Sequence, residues 1–132
     1  MIVLDTHALL WWVSDNSHLS RKAARRITAE SENAGGLLVS CISTWEIAML
    51  VSQSRLTLRI DLGDLFHQLE SIESIQFVPV SNRTSMNSVT LPEPFHKDPA
   101  DRLIVATARE SDCTLITSDQ KIRDYPDVET LW

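Results

Sequence analysis

The sequence predicts an α/β domain with a mainly parallel β-sheet that helices cover on both faces. Short apolar runs rich in β-branched residues alternate with segments of helical spacing along the whole chain. Two of the apolar runs also end in an acidic residue, as strands do when they lead into a site at the edge of a sheet. At 132 residues, without an internal repeat or a linker, residues 1–132 are expected to form one domain.

The first half of the chain is predicted to contain two strands and three helices. The run MIVLD is typical of a buried strand, and Thr6 is suited to cap the helix that follows it. In the third helix, Ser43 and Glu46 have the spacing of a capping box, in which the Glu side chain bonds back to the cap. The predicted elements are a strand at 1–5, helices at 6–14 and 19–33, a turn and a strand near 37–40, and a helix at 43–54.

The second half is predicted to add three helices and three strands. Residues 55–60 alternate with period two, which fits either a short edge strand or an extended loop. The helix that begins after Asp98 has Pro99 at its first position, where proline is favoured. The predicted elements are helices at 62–72, 81–91 and 98–112, and strands at 75–80, 114–119 and 128–132.

Composition excludes several classes of protein. The 18 acidic residues outnumber the 12 Lys and Arg, and the net charge of −6 disfavours a protein that mainly coats nucleic acid. No apolar run approaches the roughly 20 residues that cross a bilayer, and the start of the chain lacks the features of a signal peptide. Cys41 and Cys113 have neither disulfide nor zinc spacing, so we expect a cytoplasmic protein.

Five acidic residues are the candidate site, although each has a structural explanation when taken alone. Asp5, Asp98 and Asp119 are suited to cap helices or turns, Glu46 to complete a capping box, and Asp101 to meet the positive end of a helix dipole. Taken together, Asp5 and Asp119 each end a predicted parallel strand, and Glu46 and Asp101 lie in the first turns of predicted helices. All of these points fall on one edge of a parallel sheet.

Such a set of carboxylates predicts a metal site. Unpaired like charges raise one another's pKa, and a hard divalent cation such as Mg²⁺ relieves that repulsion with oxygen ligands. A bound ion supplies an activated water and a Lewis acid for the hydrolysis of phosphodiesters. The sequence therefore predicts that three or four of these carboxylates converge on Mg²⁺.

Five motifs resemble the PIN-domain ribonucleases, specifically the VapC toxins of bacterial type II toxin–antitoxin pairs. The motifs are LDTHALLWW, SCISTWEIAML, FHKDPADRLIVATA, LITSDQKI and the terminal TLW. The resemblance implies a PIN-like three-layer sandwich, with a five-stranded parallel sheet of order 3-2-1-4-5 between helices. It also implies an Mg²⁺-dependent endoribonuclease, usually a homodimer, that a cognate VapB-type antitoxin inhibits.

Carried over by position, the acidic site of that family falls on Asp5, Glu46, Asp101 and Asp119. The resemblance implies that Asp5, Asp101 and Asp119 hold Mg²⁺ or Mn²⁺, and that Glu46 orients its waters or helps to bind a second ion. Asp98 is expected at the rim, and Thr6 and Ser118 are expected to support the acids with their hydroxyls. Arg102 is expected either to contact a phosphate or to pair with a carboxylate. Arg21, Lys22, Arg25, Arg26 and Lys97 are candidates for RNA binding, against the alternative of a solvated surface.

Three other interpretations are open at this stage. A PIN-fold nuclease outside a toxin–antitoxin pair has the same acids. A haloacid-dehalogenase-like phosphatase would need a second Asp where His7 stands, and a non-catalytic receiver-like domain would need an acidic pair near the amino end.

Trp11 and Trp12 point in different directions on a helix, so one is expected in the core and the other at a partner surface.

Overall fold

A parallel sheet forms the centre of the chain, as the computed structural model shows for residues 1–33 and 35–132. All neighbouring strands pair in parallel, in the predicted order 3-2-1-4-5. The strands are β1 (Ile2–Leu4), β2 (Leu37–Ser40), β3 (Ile75–Val78), β4 (Thr114–Ile116) and β5 (Thr130–Leu131). Among the described residues, none of the helices has the length and apolar character of a membrane span.

In the part of the chain that the structure describes, seven helices join these strands. They are α1 (Thr6–Val13), α2 (Arg21–Glu32), α3 (Cys41–Ser52), α4 (Leu62–Glu70), α5 (Asn82–Val89), α6 (Pro99–Ser111) and α7 (Gln120–Arg123). Most of the predicted helices are present with shorter ends, and α7 was not predicted. Ala34, in the predicted turn before β2, lies outside the described residues.

Two apolar clusters cover the two faces of the sheet, because successive side chains of a strand point in opposite directions. Ile2 and Leu4 lie in one cluster, which receives Leu9 of α1 and Ile27 of α2. Val3 lies in the other cluster, with residues of α6 and α7. The sheet is therefore buried on both faces, as the nearly continuous apolar strands indicate.

Two predictions of local structure need correction. The capping box does not form, because the Ser40 hydroxyl accepts from Ile42 N (3.2 Å) and starts α3 at once after β2. Glu46 therefore lies in the second turn of α3 rather than the first. Residues 55–60, for which the sequence leaves both a strand and a loop open, form bends and irregular loop. Strand β4 ends at Ile116, three residues earlier than predicted, because Asp119 caps α7.

Candidate active site

One pocket at the carboxyl edge of the sheet, the acid pocket, is lined by all five predicted acids. Asp5 follows β1, Asp119 follows β4 after a short turn, and Asp101 lies in the first turn of α6. The pocket has a volume of about 380 Å³. Its lining residues are Asp5, Thr6, His7, Trp11, Glu46, Asp98, Asp101, Ile104, Ser118 and Asp119.

Three of the acids also cap helices, as the sequence predicts for Asp5, Asp98 and Asp119. Oδ1 of Asp5 accepts from Ala8 N at 2.8 Å, and Oδ1 of Asp119 accepts from Lys121 N at 2.9 Å. Asp98 caps α6 from an exposed position at the rim of the pocket. Capping does not exclude a second role, because an ionised carboxylate has about four acceptor sites. The caps instead fix the direction in which these carboxylates face.

Glu46 reaches the pocket through a contact with α1. The Thr6 hydroxyl donates to Oε1 of Glu46 at 2.5 Å, and the hydroxyls of Thr6 and Ser43 are 2.9 Å apart. Thr6 and Ser43 are both buried, so this network holds α3 against the start of α1. Thr6 therefore lies where a supporting hydroxyl is expected. Ser43, predicted only as a cap, is a further member of the network that local spacing alone does not reveal.

Burial and mutual repulsion make two of the carboxyls unusually hard to ionise. Burial raises the pKa of Asp5 from its ordinary value of 3.8 to about 6, although a hydrogen bond from Thr117 opposes the change. Burial also raises the pKa of Asp101 to about 7, assisted by the negative charges of the four other acids in the pocket. The pocket therefore has a deficit of positive charge that a cation would relieve.

His96 is a neighbour of Asp101 that the motif analysis leaves unassigned. Its Nε2 is 3.2 Å from Oδ2 of Asp101, close enough for an ion pair when the ring is protonated. The two atoms are not aligned for a hydrogen bond, and Nε2 has no hydrogen-bond partner among the described residues. His96 also lines a second cavity, of about 430 Å³, together with Gln120 and Lys121, and this cavity shares Asp98, Asp101 and Asp119 with the first.

Arg102 supports the segment before α6 rather than the pocket. Its guanidinium donates five hydrogen bonds, four of them to the carbonyls of Ser88, Val89, Phe95 and His96. The fifth goes to Glu93, at 3.1 Å. The predicted pairing with a carboxylate is thus present, but with Glu93 outside the acid pocket, and these contacts occupy the donors that a phosphate would need.

The predicted RNA-binding cations lie outside the acid pocket. Arg21, Lys22 and Arg25 are exposed on α2, whereas Arg26 pairs with Glu30 at 3.0 Å. Lys97 is exposed beside the rim but does not line the pocket. Binding of RNA by these residues stays a prediction.

The donor set suits a hard divalent cation, because it consists of carboxylates and hydroxyls. Within residues 1–33 and 35–132, however, no three His, Cys, Asp or Glu side chains already lie in an arrangement that would hold a metal ion. The carboxylates share one pocket without forming a complete set of metal ligands.

The raised pKa values predict that the protein without divalent cations is less stable at pH 8 than at pH 5. Between about pH 4 and pH 7 the folded chain retains protons on Asp5 and Asp101 that the unfolded chain has lost. The free energy of unfolding therefore falls as the pH rises through this window. At about 1.4 kcal/mol per pKa unit, we expect a fall on the order of 3 kcal/mol, measured by urea denaturation in chelator.

Two variants control for this dependence on pH. Asp101→Asn should reduce the fall in stability without abolishing it, because the amide stays neutral at both pH values and Asp5 still titrates with a raised pKa. Asp15→Asn, an exposed position outside the pocket, should leave it unchanged. Equal stability of the unmodified chain at pH 5 and pH 8 would contradict the assignment of raised pKa values to these carboxyls.

The parallel sheet of order 3-2-1-4-5, with acids gathered at its carboxyl edge, is the architecture that the resemblance implies for a PIN domain. Residues 2–128 match the family model described as the PIN domain, and the chain therefore belongs to that family. Ribonuclease VapC22 of Mycobacterium tuberculosis (strain ATCC 25618 / H37Rv) is a relative within it. It is 36% identical over 133 residues, which cover 99% of this chain and 98% of the relative.

Solved structures share the fold at lower sequence identity. VapBC2 from Rickettsia felis, bound to a DNA fragment from its promoter, matches with a TM-score of 0.69 and 15% identity over 99% of this chain and 98% of that chain. A toxin–antitoxin complex from Klebsiella pneumoniae matches with a TM-score of 0.64 and 18% identity over 97% and 95%. The resemblance to VapC-type PIN domains is confirmed, which removes the phosphatase and receiver interpretations.

Proposed function

We propose that this chain is a metal-dependent endoribonuclease of the VapC type, the toxin of a toxin–antitoxin pair. The observation that carries the proposal is the pocket that gathers Asp5, Glu46, Asp101 and Asp119 at the carboxyl edge of the sheet. The relative at 36% identity is a ribonuclease by name, and its match covers nearly the whole of both chains. A PIN-fold nuclease outside a toxin–antitoxin pair is the alternative.

In the proposed mechanism the carboxylates of Asp5, Asp101 and Asp119 hold Mg²⁺ or Mn²⁺. When bound, the ion supplies a Lewis acid and an acidified water for phosphodiester hydrolysis. Glu46, fixed by the Thr6 hydroxyl at 2.5 Å, accepts hydrogen bonds from water at the wall of the pocket and orients it toward the phosphorus. Asp98 and Ser118 border the pocket and limit how the RNA strand enters it.

The proposal is tested by incubating the purified chain with total RNA from a bacterial host, with Mg²⁺, with Mn²⁺ or with chelator. We expect cleavage only with a divalent cation. By the family resemblance, the products should carry 5′-phosphate and 3′-hydroxyl ends, which sequencing of the RNA ends distinguishes from 2′,3′-cyclic phosphates. Cleavage in chelator, or cyclic phosphate products, would contradict the proposed chemistry.

An antitoxin partner is the second part of the proposal. A groove of about 960 Å³ runs between α1, residues 55–60 and α4, and His7 and Trp11 line both this groove and the acid pocket. Its walls are largely apolar, and Arg55 and Arg59 also line it. We propose that the apolar face of an amphipathic VapB-type segment, with acidic residues toward the two arginines, occupies this groove and so blocks the approach of RNA.

Ile60→Asp tests this docking surface, because Ile60 lines the groove and its side chain is 41% exposed. A buried charge at an apolar contact should weaken binding of the antitoxin encoded beside this chain by at least about 30-fold, the effect of a typical hot-spot residue. Val80→Asp is the matched control, since Val80 is similarly exposed and does not line the groove. Equal affinity in titration calorimetry for Ile60→Asp and the unmodified chain would exclude the groove.

A further inference from the structure

The lining of the acid pocket is poorly suited to bind the phosphate backbone of RNA. Five carboxylates line it, and none of its described lining residues is Lys or Arg. Phosphate binding in proteins is usually dominated by those two residues, so the pocket wall repels the strand wherever a cation is not bound. Contacts with the base, which do not depend on phosphate charge, would therefore add to the binding of the nucleotide beside the cleaved bond.

Aromatic rings form one wall of this pocket. His7 and Trp11 are spaced i and i+4 on α1, so they lie on the same side of the helix, with ring centroids 5.4 Å apart. His18 stacks on Trp11 at 5.4 Å with an interplanar angle of 25°, and Trp132 lies 5.7 Å from it. His18 and Trp132 do not line the pocket themselves and contact Trp11 from outside it.

Packing of the core does not account for the position of Trp11. The neighbouring Trp12 and the carboxyl-terminal Trp132 both pack against a buried cluster. All three indoles are half-buried, but Trp11 is not among the side chains packed against that cluster and lines the acid pocket and the groove, beside the exposed ring of His7. A large indole at the wall of a pocket rich in carboxylates is suited to an uncharged planar group.

We propose that the aromatic wall, His7 and Trp11 supported by His18 and Trp132, is a stacking site for one unpaired nucleobase of the RNA. This inference rests on the proposed ribonuclease function. Bases splayed from single strands and loops stack on aromatic side chains regardless of backbone charge. The site positions the nucleotide by its base, while the acids receive its phosphate with the cation.

The test removes each side of the contact in turn. The Asp5→Asn chain, which should not cleave, is titrated with a fluorescent single-stranded RNA and with versions carrying one abasic site at each position. One abasic position should weaken binding by about 5-fold to 150-fold, the range measured for stacking of a base on an aromatic side chain. Adding Trp11→Ala should weaken binding of intact RNA by the same factor and leave the abasic RNA unaffected.

Two variants and a partner measurement complete the test. Trp45→Ala, which removes an indole that is 56% exposed outside the pocket, should bind all of the RNAs like its parent. Trp11→Phe keeps an aromatic face and should lose less affinity than Trp11→Ala, with its folding checked by thermal denaturation. Unchanged RNA affinity of Trp11→Ala, or additive effects of the two deletions, would overturn the stacking site.

The remaining outcomes separate this inference from the function on which it rests. Loss of affinity for the antitoxin in Trp11→Ala, with RNA binding intact, would assign the wall to the protein partner and overturn the stacking site. If the unmodified chain neither bound nor cleaved any of the RNAs in Mg²⁺ or Mn²⁺, the proposed ribonuclease function would fail together with the inference. If the Asp5→Asn chain bound the RNAs and ignored the abasic sites, the inference alone would fail.

Discussion

Asp5→Asn should reduce RNA cleavage by at least about 100-fold while the chain remains folded. Loss of a partner that only orients a metal ligand already costs 10- to 100-fold, so loss of a proposed ligand should cost more. The fold should persist because asparagine is as good an N-cap as aspartate, and its side-chain oxygen can accept the same hydrogen bond from Ala8 N. Initial rates of cleavage and the melting temperature are the two measurements.

Asp61→Asn is a matched control for this substitution. Asp61 also caps a helix, accepting from Gly63 N and Asp64 N, but it lies outside the acid pocket. Its variant should cleave RNA like the unmodified chain. Activity within a fewfold of normal in Asp5→Asn would remove Asp5 from the site.

Arg102→Met should lower the free energy of unfolding by about 3 kcal/mol. The side chain is 11% exposed and donates five hydrogen bonds, so its loss leaves several carbonyls of residues 88–96 without a donor. An unsatisfied buried polar group costs about 1–3 kcal/mol, and water will reach some of these carbonyls. Urea denaturation measures the change.

Arg109 provides the comparison for Arg102 on the same helix. It donates one hydrogen bond, to the Asp127 carbonyl, from an exposed position. Arg109→Met should therefore cost less than about 1 kcal/mol. Arg102→Lys should recover little, because an ammonium cannot reproduce the planar fork of donors. Equal costs for the two methionine variants would contradict the role given to Arg102.

The sheet and the position of the acids could be predicted because their signals are local. Apolar runs such as residues 2–4 identify strands that are buried on both faces, and parallel pairing brings the ends of those strands to one edge. Asp5 and Asp119 follow from that pairing. Their structural roles as helix caps were also predictable, and both proved compatible with a place in the pocket.

The remaining features depend on contacts between distant parts of the chain. Glu46 has the spacing of a capping box, yet its partner is Thr6, 40 positions earlier. Arg102 bonds chiefly to backbone carbonyls, which every residue has and which therefore leave no pattern in a sequence. Residues 55–60 alternate because Leu56 and Leu58 are half-buried while their polar neighbours are exposed, although no strand of the described residues pairs with them. Helix α7 is four residues long, too short for periodicity to reveal.

The central claim is that the carboxylates of the acid pocket bind a divalent cation at the carboxyl edge of the sheet. Anomalous diffraction from a crystal of the protein soaked in Mn²⁺ tests it most directly. The account predicts one or two manganese peaks bonded to oxygens of Asp5, Asp101 and Asp119, with Glu46 nearby. A pocket without a peak at saturating Mn²⁺, or peaks held only by other residues, would contradict it.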